Sequence, residues 1–240
     1  MDEEADLVIE RSISTSQGLN TVRYFETYGI PAVNSSEVIS VCSDKLSTSL
    51  VLRRNSLPQP DVYIAHSAEG ALQAVESLGY PVVLKPVVGS WGRLISRVND
   101  RAAAEALIEH KSTLGNYMHS TFYVQDLIEK GGRDIRSFVV GDQVVAAIYR
   151  TSDHWITNTS RGGIASNCEV TDELEKLSLD AAQAVSGGSP AILAIDIFES
   201  PDGLLVNEIN STMEFRNSIQ TTGVNIPRLI AEYLKELIRR

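Results

Sequence analysis

Strand-forming segments joined by tight turns constrain the fold of this chain more than any other feature. Residues 191–200 are mostly apolar, and a second strand-like segment, 204–210, follows after Pro201-Asp202-Gly203. A glycine in the third position of a short loop is typical of a hairpin. Residues 134–140 and 143–150 form a similar pair. Strands joined in this way are antiparallel, so the pattern predicts antiparallel sheets with helices packed on one face, an α+β fold.

The other elements are predicted from apolar periodicity and from residues that begin or end helices. The predicted helices cover residues 18–28, 44–54, 67–78, 100–110, 171–185 and 227–240. The additional predicted strands cover residues 7–10, 62–64, 82–86, 94–98 and 122–128. Strands and helices are mixed without regular β-α-β alternation, which also favours an α+β architecture.

Charge and cysteine content exclude several classes of protein. The net charge of −10 and the pI of about 4.9 argue against a general nucleic-acid-binding protein. The two cysteines, Cys42 and Cys168, show no CxxC spacing, so we expect reduced thiols. No apolar run approaches the ~18 residues of a membrane span, and the acidic N-terminus contains no signal-peptide core. We therefore expect a cytoplasmic protein that binds neither membranes nor nucleic acid.

The last predicted hairpin brings three oxygen-bearing side chains together. If Ser200 faces Leu204, counting outward along both strands places Asp196 opposite Glu208. Asn210 follows two residues later and lies on the same face as Glu208. Two carboxylates and an amide oxygen suit a magnesium ion that also binds substrate phosphates. The alternative is a solvated hairpin face, and a register change of one residue would separate the three groups.

A lysine and a glycine-containing segment indicate a site for phosphates. Lys85 ends an apolar strand, where a buried ammonium needs an anion. Gly89-Ser90-Trp91-Gly92 follows and leads into another strand, whereas a P-loop would enter a helix. Lys45, near the start of a predicted helix, is a second candidate. A simple glycine hairpin and a surface lysine are the alternatives.

Arginines are concentrated near the hairpin of residues 134–150 and in the loop of residues 155–163. Arg136 and Arg150 flank the hairpin, and the loop contains Asn158 and Arg161. Arginine binds planar carboxylate and phosphate groups well, so we expect an anion-binding cleft in this acidic chain. The alternative is a set of surface arginines.

Five segments, in this order, resemble the ATP-grasp superfamily. They are Cys42-Ser-Asp-Lys45, Pro81-Val-Val-Leu-Lys85-Pro86, Gln125-Asp-Leu-Ile-Glu129, Asp134-Ile-Arg136 and Asn207-Glu-Ile-Asn210. The chain is similar to the RimK-related branch, and within that branch to the LysX-like enzymes. The segments that carry this second resemblance are 85–93, 155–158 and 210–215.

The resemblance implies an ATP site with two lysines on the phosphates, a flexible lid at residues 89–95 and a hinge beside adenine at residues 125–128. The cofactor-binding residues expected on this basis are Lys45, Lys85, Gly89, Ser90, Trp91, Gly92, Arg93, Leu94, Ile95, Gln125, Asp126, Leu127, Ile128 and Asp134. The expected catalytic residues are Arg136, Arg150, Asn158 and Arg161. Magnesium, which Mn2+ can replace, is expected on Asp196, Glu208 and Asn210.

The resemblance also implies a reaction. LysX-like enzymes phosphorylate the side chain of a C-terminal glutamate on LysW, a small acidic carrier protein, and the amine of α-aminoadipate then displaces phosphate. We therefore expect an ADP-forming ligase of lysine biosynthesis that makes a C–N bond. We also expect it to be a homo-oligomer with a LysW-type carrier and an amino acid as partners.

The amino acid is inferred from Asn217-Ser218. In the family, aminoadipate enzymes have Asn-Thr or Asn-Ser soon after the metal strand, whereas glutamate enzymes have Gly-Phe. The pair therefore favours α-aminoadipate. The alternatives are an ArgX-like glutamate–LysW ligase of arginine biosynthesis, a RimK-like protein glutamate ligase and an inactive nucleotide-binding module.

The resemblance divides the chain into two parts. Residues 1–41 are expected to be the remnant of an N-terminal α/β domain, and residues 42–240 the ATP-grasp domain. Within the latter we expect a lid subdomain at about 54–124 and a catalytic subdomain at about 125–240. Because the family begins with a longer N-terminal domain, we expect its first strand and helix to be absent, which would expose a sheet edge.

Overall fold

The computed structural model describes residues 5–89, 93–115, 120–159 and 162–239. Its strands are β1 (Val8–Ile9), β2 (Ala32–Val33), β3 (Val62–Ala65), β4 (Val82–Lys85), β5 (Ser96–Val98), β6 (Phe122–Asp126), β7 (Arg133–Val140), β8 (Gln143–Thr151), β9 (Ile164–Cys168), β10 (Ile192–Ser200) and β11 (Gly203–Asn210). Its helices are α1 (Thr15–Thr27), α2 (Ser36–Ser43), α3 (Lys45–Arg54), α4 (Ala68–Leu78), α5 (Arg101–Leu114), α6 (Asp172–Ser186), α7 (Arg216–Thr222) and α8 (Ile226–Arg239). Within the described ranges, every helix is too short or too polar to cross a membrane.

The larger sheet contains five antiparallel strands in the order β11-β10-β7-β8-β9. Helices cover both of its faces, so the expectation that helices pack on one face was wrong for this sheet. Alternate residues of β10 explain the difference, because Leu193 and Ile195 pack with α6 whereas Ile192 and Ala194 pack with α8. A continuous apolar strand of this kind must be covered on both sides.

The smaller sheet contains four antiparallel strands in the order β3-β6-β4-β5. Helices α4 and α5 cover one face, where Val75 and Ile108 pack against Leu84 and Val124 in one apolar cluster. This sheet therefore has the predicted one-sided arrangement. Its other face turns polar side chains of β4 and β6 toward the larger sheet.

The N-terminal segment forms a parallel pair of short strands, β1 and β2, beside α1 and α2. Asn34 connects this segment to the larger sheet, because its side-chain amide donates to the Ile192 carbonyl and accepts from the Ile192 N–H, both at 2.8 Å. A buried asparagine thus extends the hydrogen bonding of β10 as a neighbouring strand would.

Four elements were missed from sequence, and one of them is the two-residue strand β2. Helix α2 is rich in β-branched residues and is instead stabilised by its N-cap Ser35 and by burial of Val38 and Ile39. Helix α7 has only seven residues and no side-chain cap. Strand β9 is mostly exposed, so its sequence shows no regular apolar alternation.

The hairpin β10–β11 has a shorter turn than predicted. Ser200 pairs with Gly203 rather than with Leu204, so the expected starting pair was wrong. A β-bulge then places one extra residue, Asn207, on β11 between two successive pairs. The two differences cancel, and Asp196 is paired with Glu208 as predicted.

Candidate active site

A cleft lies between the two sheets, with β4 and β6 on one side and β7, β8, β10 and β11 on the other. The predicted residues that line it are Lys85, Ile95, Gln125, Asp126, Leu127, Ile128, Asp134, Arg150, Asn158, Asp196 and Glu208. Ser90, Trp91, Gly92 and Arg161 lie outside the described residues. The structure thus brings residues from most of the predicted groups to one place.

Lys85 ends β4 and is only 7% exposed. Its ammonium donates to the Asn207 side-chain oxygen at 2.8 Å. Burial lowers the pKa of Lys85 to about 7, although the nearby Glu208 carboxylate opposes this shift. An anion that enters the cleft beside Lys85 would restore the preference for the charged form.

Lys45 connects the glycine-containing segment to the β10–β11 hairpin. Its ammonium donates to the Gly89 carbonyl at 2.8 Å and lies 3.5 Å from a Glu208 carboxylate oxygen. Its backbone N–H donates to the Val87 carbonyl, so the start of α3 is fixed against the chain that follows β4. Lys45 is not itself in the lining of the cleft but lies beside Glu208, which is.

A network of charged side chains lies at the cleft, and its members Asp134, Arg150 and Asp196 are buried and line it. Arg136 donates to both oxygens of Asp196, at 2.7 and 2.8 Å. Arg150 bridges two carboxylates, with 2.7 Å to Asp134 and 3.1 Å to Asp196. Burial opposes the charge of Asp196, but Arg136 and then Arg150 lower its pKa to about 2. Both carboxylates in this network are therefore stabilised by guanidinium groups.

Lys130 and Thr157 extend this network and were not among the predicted residues. The Lys130 ammonium donates to Thr157 at 2.7 Å and to Asp134 at 3.1 Å, and it lies 4.9 Å from the centre of the Phe198 ring. Burial lowers the pKa of Lys130, whereas Asp134 opposes that shift. The contacts of Lys130 and Thr157 with Asp134 form only in the folded chain, so no sequence pattern indicates them.

The residues at the end of the hairpin can bind a divalent cation. Asp196 and Glu208 face each other across the strands, and Asn210 follows on the same strand. The Asn210 amide nitrogen is buried without a hydrogen-bond partner among the described residues. A 180° rotation of that amide places its oxygen there. Three oxygen ligands suit a cation that keeps water and binds phosphates.

The side chains at this site would not complete the coordination of a divalent cation by themselves. Among the described residues, no group of three His, Cys, Asp or Glu side chains is placed to bind a metal. Asp196 also shares its carboxylate with two arginines. A cation here would therefore need ligands from water or substrate in addition to the side chains.

Gln125 and Asp126 end β6, and Leu127 and Ile128 follow the strand along the rim of the cleft. Gln125 is buried and donates to the Asn207 side-chain oxygen at 3.3 Å. Burial raises the pKa of Asp126, and a hydrogen bond from the Leu127 backbone opposes that shift. This segment thus forms a partly apolar wall next to Lys85.

Several predicted residues lie away from the lining of the cleft. Leu94 is exposed in the turn before β5, and Arg93 precedes it, also exposed. Asn217 is exposed and Ser218 buried on α7, which packs against β8 and β9. These residues do not contact the charged network through any described hydrogen bond or ion pair.

Asn207 was the residue most clearly missed. It lies within a motif recognised in the sequence, but strict alternation places it on the opposite face from Glu208. The bulge instead brings both side chains to the cleft. A bulge leaves no clear signal in a single sequence, so this residue could not have been found by pattern alone.

Comparisons with known proteins add two family matches. Residues 42–234 match the model of a RimK-like ATP-grasp domain, and residues 2–41 match that of a LysX preATP-grasp domain.

Two curated relatives and one solved structure are similar over most of their length. The glutamate–LysW ligase ArgX of Sulfurisphaera tokodaii is 38% identical over 234 residues, which are 96% of this chain and 82% of the relative. The α-aminoadipate–LysW ligase LysX of Saccharolobus solfataricus is 33% identical over 242 residues, covering 100% and 87%. The crystal structure of a RimK domain ATP-grasp protein from Sphaerobacter thermophilus has a TM-score of 0.78 at 22% identity, covering 96% of this chain and 82% of that one.

Proposed function

The chain belongs to the RimK-like ATP-grasp family of ATP-dependent ligases, and from that premise we propose that it joins an amino acid to a LysW-type carrier protein. The bond would form at the side chain of the carrier's C-terminal glutamate. The observation that carries this proposal is the meeting of Lys85 from one sheet with the Asn207–Glu208 pair of the other. In such a cleft, a lysine ammonium can bind the phosphates of a nucleotide directly, and carboxylates can bind them through a metal ion.

We propose α-aminoadipate as the amino acid, with glutamate as the second candidate. Asn217-Ser218 on α7 supports α-aminoadipate through the resemblance described above. The 38% identity to a glutamate–LysW ligase, against 33% for an α-aminoadipate–LysW ligase, supports glutamate. A direct comparison of the two substrates is therefore the first experiment.

In the proposed reaction, Lys45 and Lys85 bind the ATP phosphates, and residues 125–128 line the adenine site. The γ-phosphoryl group passes to the glutamate carboxylate of the carrier, which gives ADP and an acyl-phosphate. The amine of the amino acid then attacks the acyl carbon, and phosphate leaves as the amide forms. Magnesium on Asp196, Glu208 and Asn210 would neutralise charge on the transferring group.

The arginines have a separate role in this proposal. Arg136 and Arg150 fix the Asp196 carboxylate in one orientation and keep it ionised. Asn158 lines the same cleft and is proposed to contact the acyl-phosphate, together with Arg161, three positions later in the sequence. The division into a lid subdomain at about 54–124 and a catalytic subdomain at about 125–240 stays a proposal. Strand β6, which belongs to the smaller sheet, ends at Asp126.

The test is a ligation assay with ATP, magnesium, a LysW-type carrier and each amino acid, followed by the mass of the carrier. One added aminoadipate supports the favoured assignment, and one added glutamate supports the second. Repeated glutamate addition to a protein tail would instead indicate a RimK-like activity. ATP binding without any product would leave only a nucleotide-binding module.

We predict that nucleotide binding takes up a proton at Lys85. The charged groups facing this lysine are Glu208, Lys45, Lys130 and Asp196. With a pKa of about 7, much of Lys85 is neutral at pH 8, and an anionic phosphate favours the ammonium. The pKa rises on binding, so binding takes up a proton and affinity falls as pH increases above about 7.

Calorimetry with ADP in EDTA, in two pH 8 buffers of different ionisation enthalpy, measures this uptake. We expect the observed binding enthalpies to differ between the buffers. The difference, divided by the difference in buffer ionisation enthalpy, should correspond to uptake of a fraction of one proton. Lys85→Arg is the control, because arginine stays protonated throughout this range. Equal enthalpies in both buffers for the unchanged protein would contradict the prediction.

A further inference from the structure

The bulge in β11 changes which way one side chain faces. Asp196 pairs with Glu208, and the next residue of β10, Ile197, pairs with Val206, so Asn207 has no partner of its own. In a regular strand, successive side chains point to opposite faces. Here Asn207 and Glu208 both line the cleft. The extra residue therefore adds a polar group to the site beside Glu208.

The Asn207 side-chain oxygen links the two sheets. It accepts from the Lys85 ammonium at 2.8 Å and from the Gln125 amide at 3.3 Å. Lys85 and Gln125 are 7% and 2% exposed, so neither polar group can readily exchange this partner for bulk water. One oxygen thus fixes a lysine at the end of β4 and a glutamine at the end of β6.

The chemistry of this acceptor suits a lysine that must bind another anion. An amide oxygen is neutral, so it orients the ammonium without cancelling its charge. The ammonium has three donors, and Asn207 accepts one of them. A carboxylate in the same place would form a buried ion pair and compete with the incoming phosphate.

We propose that Asn207 is a positioning residue that orients the Lys85 ammonium toward the nucleotide phosphates. Through Gln125 it also holds in place the segment 125–128, which is expected to lie beside adenine. This inference rests on the proposed nucleotide site but not on the identity of the carrier or of the amino acid. It assigns a role to a residue that is not one of the three proposed metal ligands. Asn207 acts on the phosphates through Lys85, so most of its effect on ATP affinity depends on that lysine.

Two variants test the proposal through nucleotide affinity. Asn207→Asp retains shape but adds a charge that pairs with Lys85, and Asn207→Leu removes the acceptor. We expect each to weaken ATP binding and raise KM for ATP by about 10- to 100-fold, the value of a hydrogen bond to a charged group. KM for the amino acid should change less than about two-fold. Asn167→Asp on exposed β9 is the matched control and should leave both constants unchanged.

A double-mutant cycle separates positioning from a general structural role. In a Lys85→Met background, Asn207→Leu should cause a much smaller further loss of ATP affinity, because only the contact with Gln125 is then left to lose. Thermal unfolding of each variant identifies any that fails to fold, and if Asn207→Leu does not fold, the nearly isosteric Asn207→Asp in the otherwise unchanged protein carries the affinity test.

Three results would overturn the inference. They are an unchanged ATP affinity in both folded variants, an equal rise in KM for ATP and for the amino acid, and an undiminished effect of Asn207→Leu when Lys85 is absent. If the unchanged protein bound ATP but modified no carrier, only the proposed ligase function would fail. If it bound no ATP, both proposals would be wrong.

Discussion

Replacing Glu208 with glutamine is expected to lower kcat/KM for ligation by about 100- to 1,000-fold, because a catalytic cation contributes several kcal/mol. The change retains the size of the side chain but removes one of the two carboxylates that face each other across β10 and β11. It also removes the negative charge beside Lys45. Steady-state kinetics at increasing magnesium concentration would show a higher requirement for the metal.

Glu199→Gln is the matched control for this experiment. Glu199 lies in the same hairpin, but it forms a surface ion pair with Arg133 and is absent from the lining of the cleft. We expect its kinetics to stay within about two-fold of the unchanged protein, as for an exposed ion pair. If Glu208→Gln kept more than a tenth of the activity without a greater need for magnesium, Glu208 would not be a metal ligand.

The second large effect is expected on stability. Arg150→Met leaves two buried carboxylates, Asp134 and Asp196, without their shared guanidinium. Breaking a buried ion pair in this way costs about 3 kcal/mol. In a chain of this length, that loss corresponds to a Tm lower by roughly 5–10 °C. Urea unfolding followed by circular dichroism measures the free energy directly.

Arg133→Met provides the comparison, because its partner Glu199 is also on β10 but the two side chains are 44% and 31% exposed. That variant should lose no more than about 1 kcal/mol. A similar loss from Arg133→Met and Arg150→Met would contradict a special role for the buried network.

The stability provided by this network also depends on pH. Burial opposes the charge of Asp196, but Arg136 and Arg150 lower its pKa to about 2. The stabilisation by this network is therefore fully present above about pH 4 and is lost as the pH falls toward 2.

The sequence was sufficient to predict most strands, most helices and the pairing of Asp196 with Glu208. These predictions rely on local signals, such as the apolar end of β7 and the caps Ser67 and Asp100 of α4 and α5. Helix α2 was missed because its stability comes from burial of Val38 and Ile39 in the folded protein. Propensity alone does not contain that information.

The site was predictable to the extent that its residues lie next to recognisable strands. Lys85 and Arg150 end or approach the end of apolar strands, and a buried charge there indicates function. The hydrogen bonds between sheets were not predictable, because Lys85 and Asn207 are 122 positions apart. Lys130 and Thr157 were also missed, since their shared contact with Asp134 exists only after the chain folds.

The short turn and the bulge of β10–β11 have a consequence for evolution. With the turn this short, the extra residue of the bulge is what keeps Asp196 opposite Glu208. An insertion in the turn, compensated by loss of the bulge, would preserve the carboxylate pair while removing the Asn207 side chain from the cleft. Homologues with a longer turn should therefore align with a displaced gap, and the residue before the second carboxylate should vary with the length of that turn.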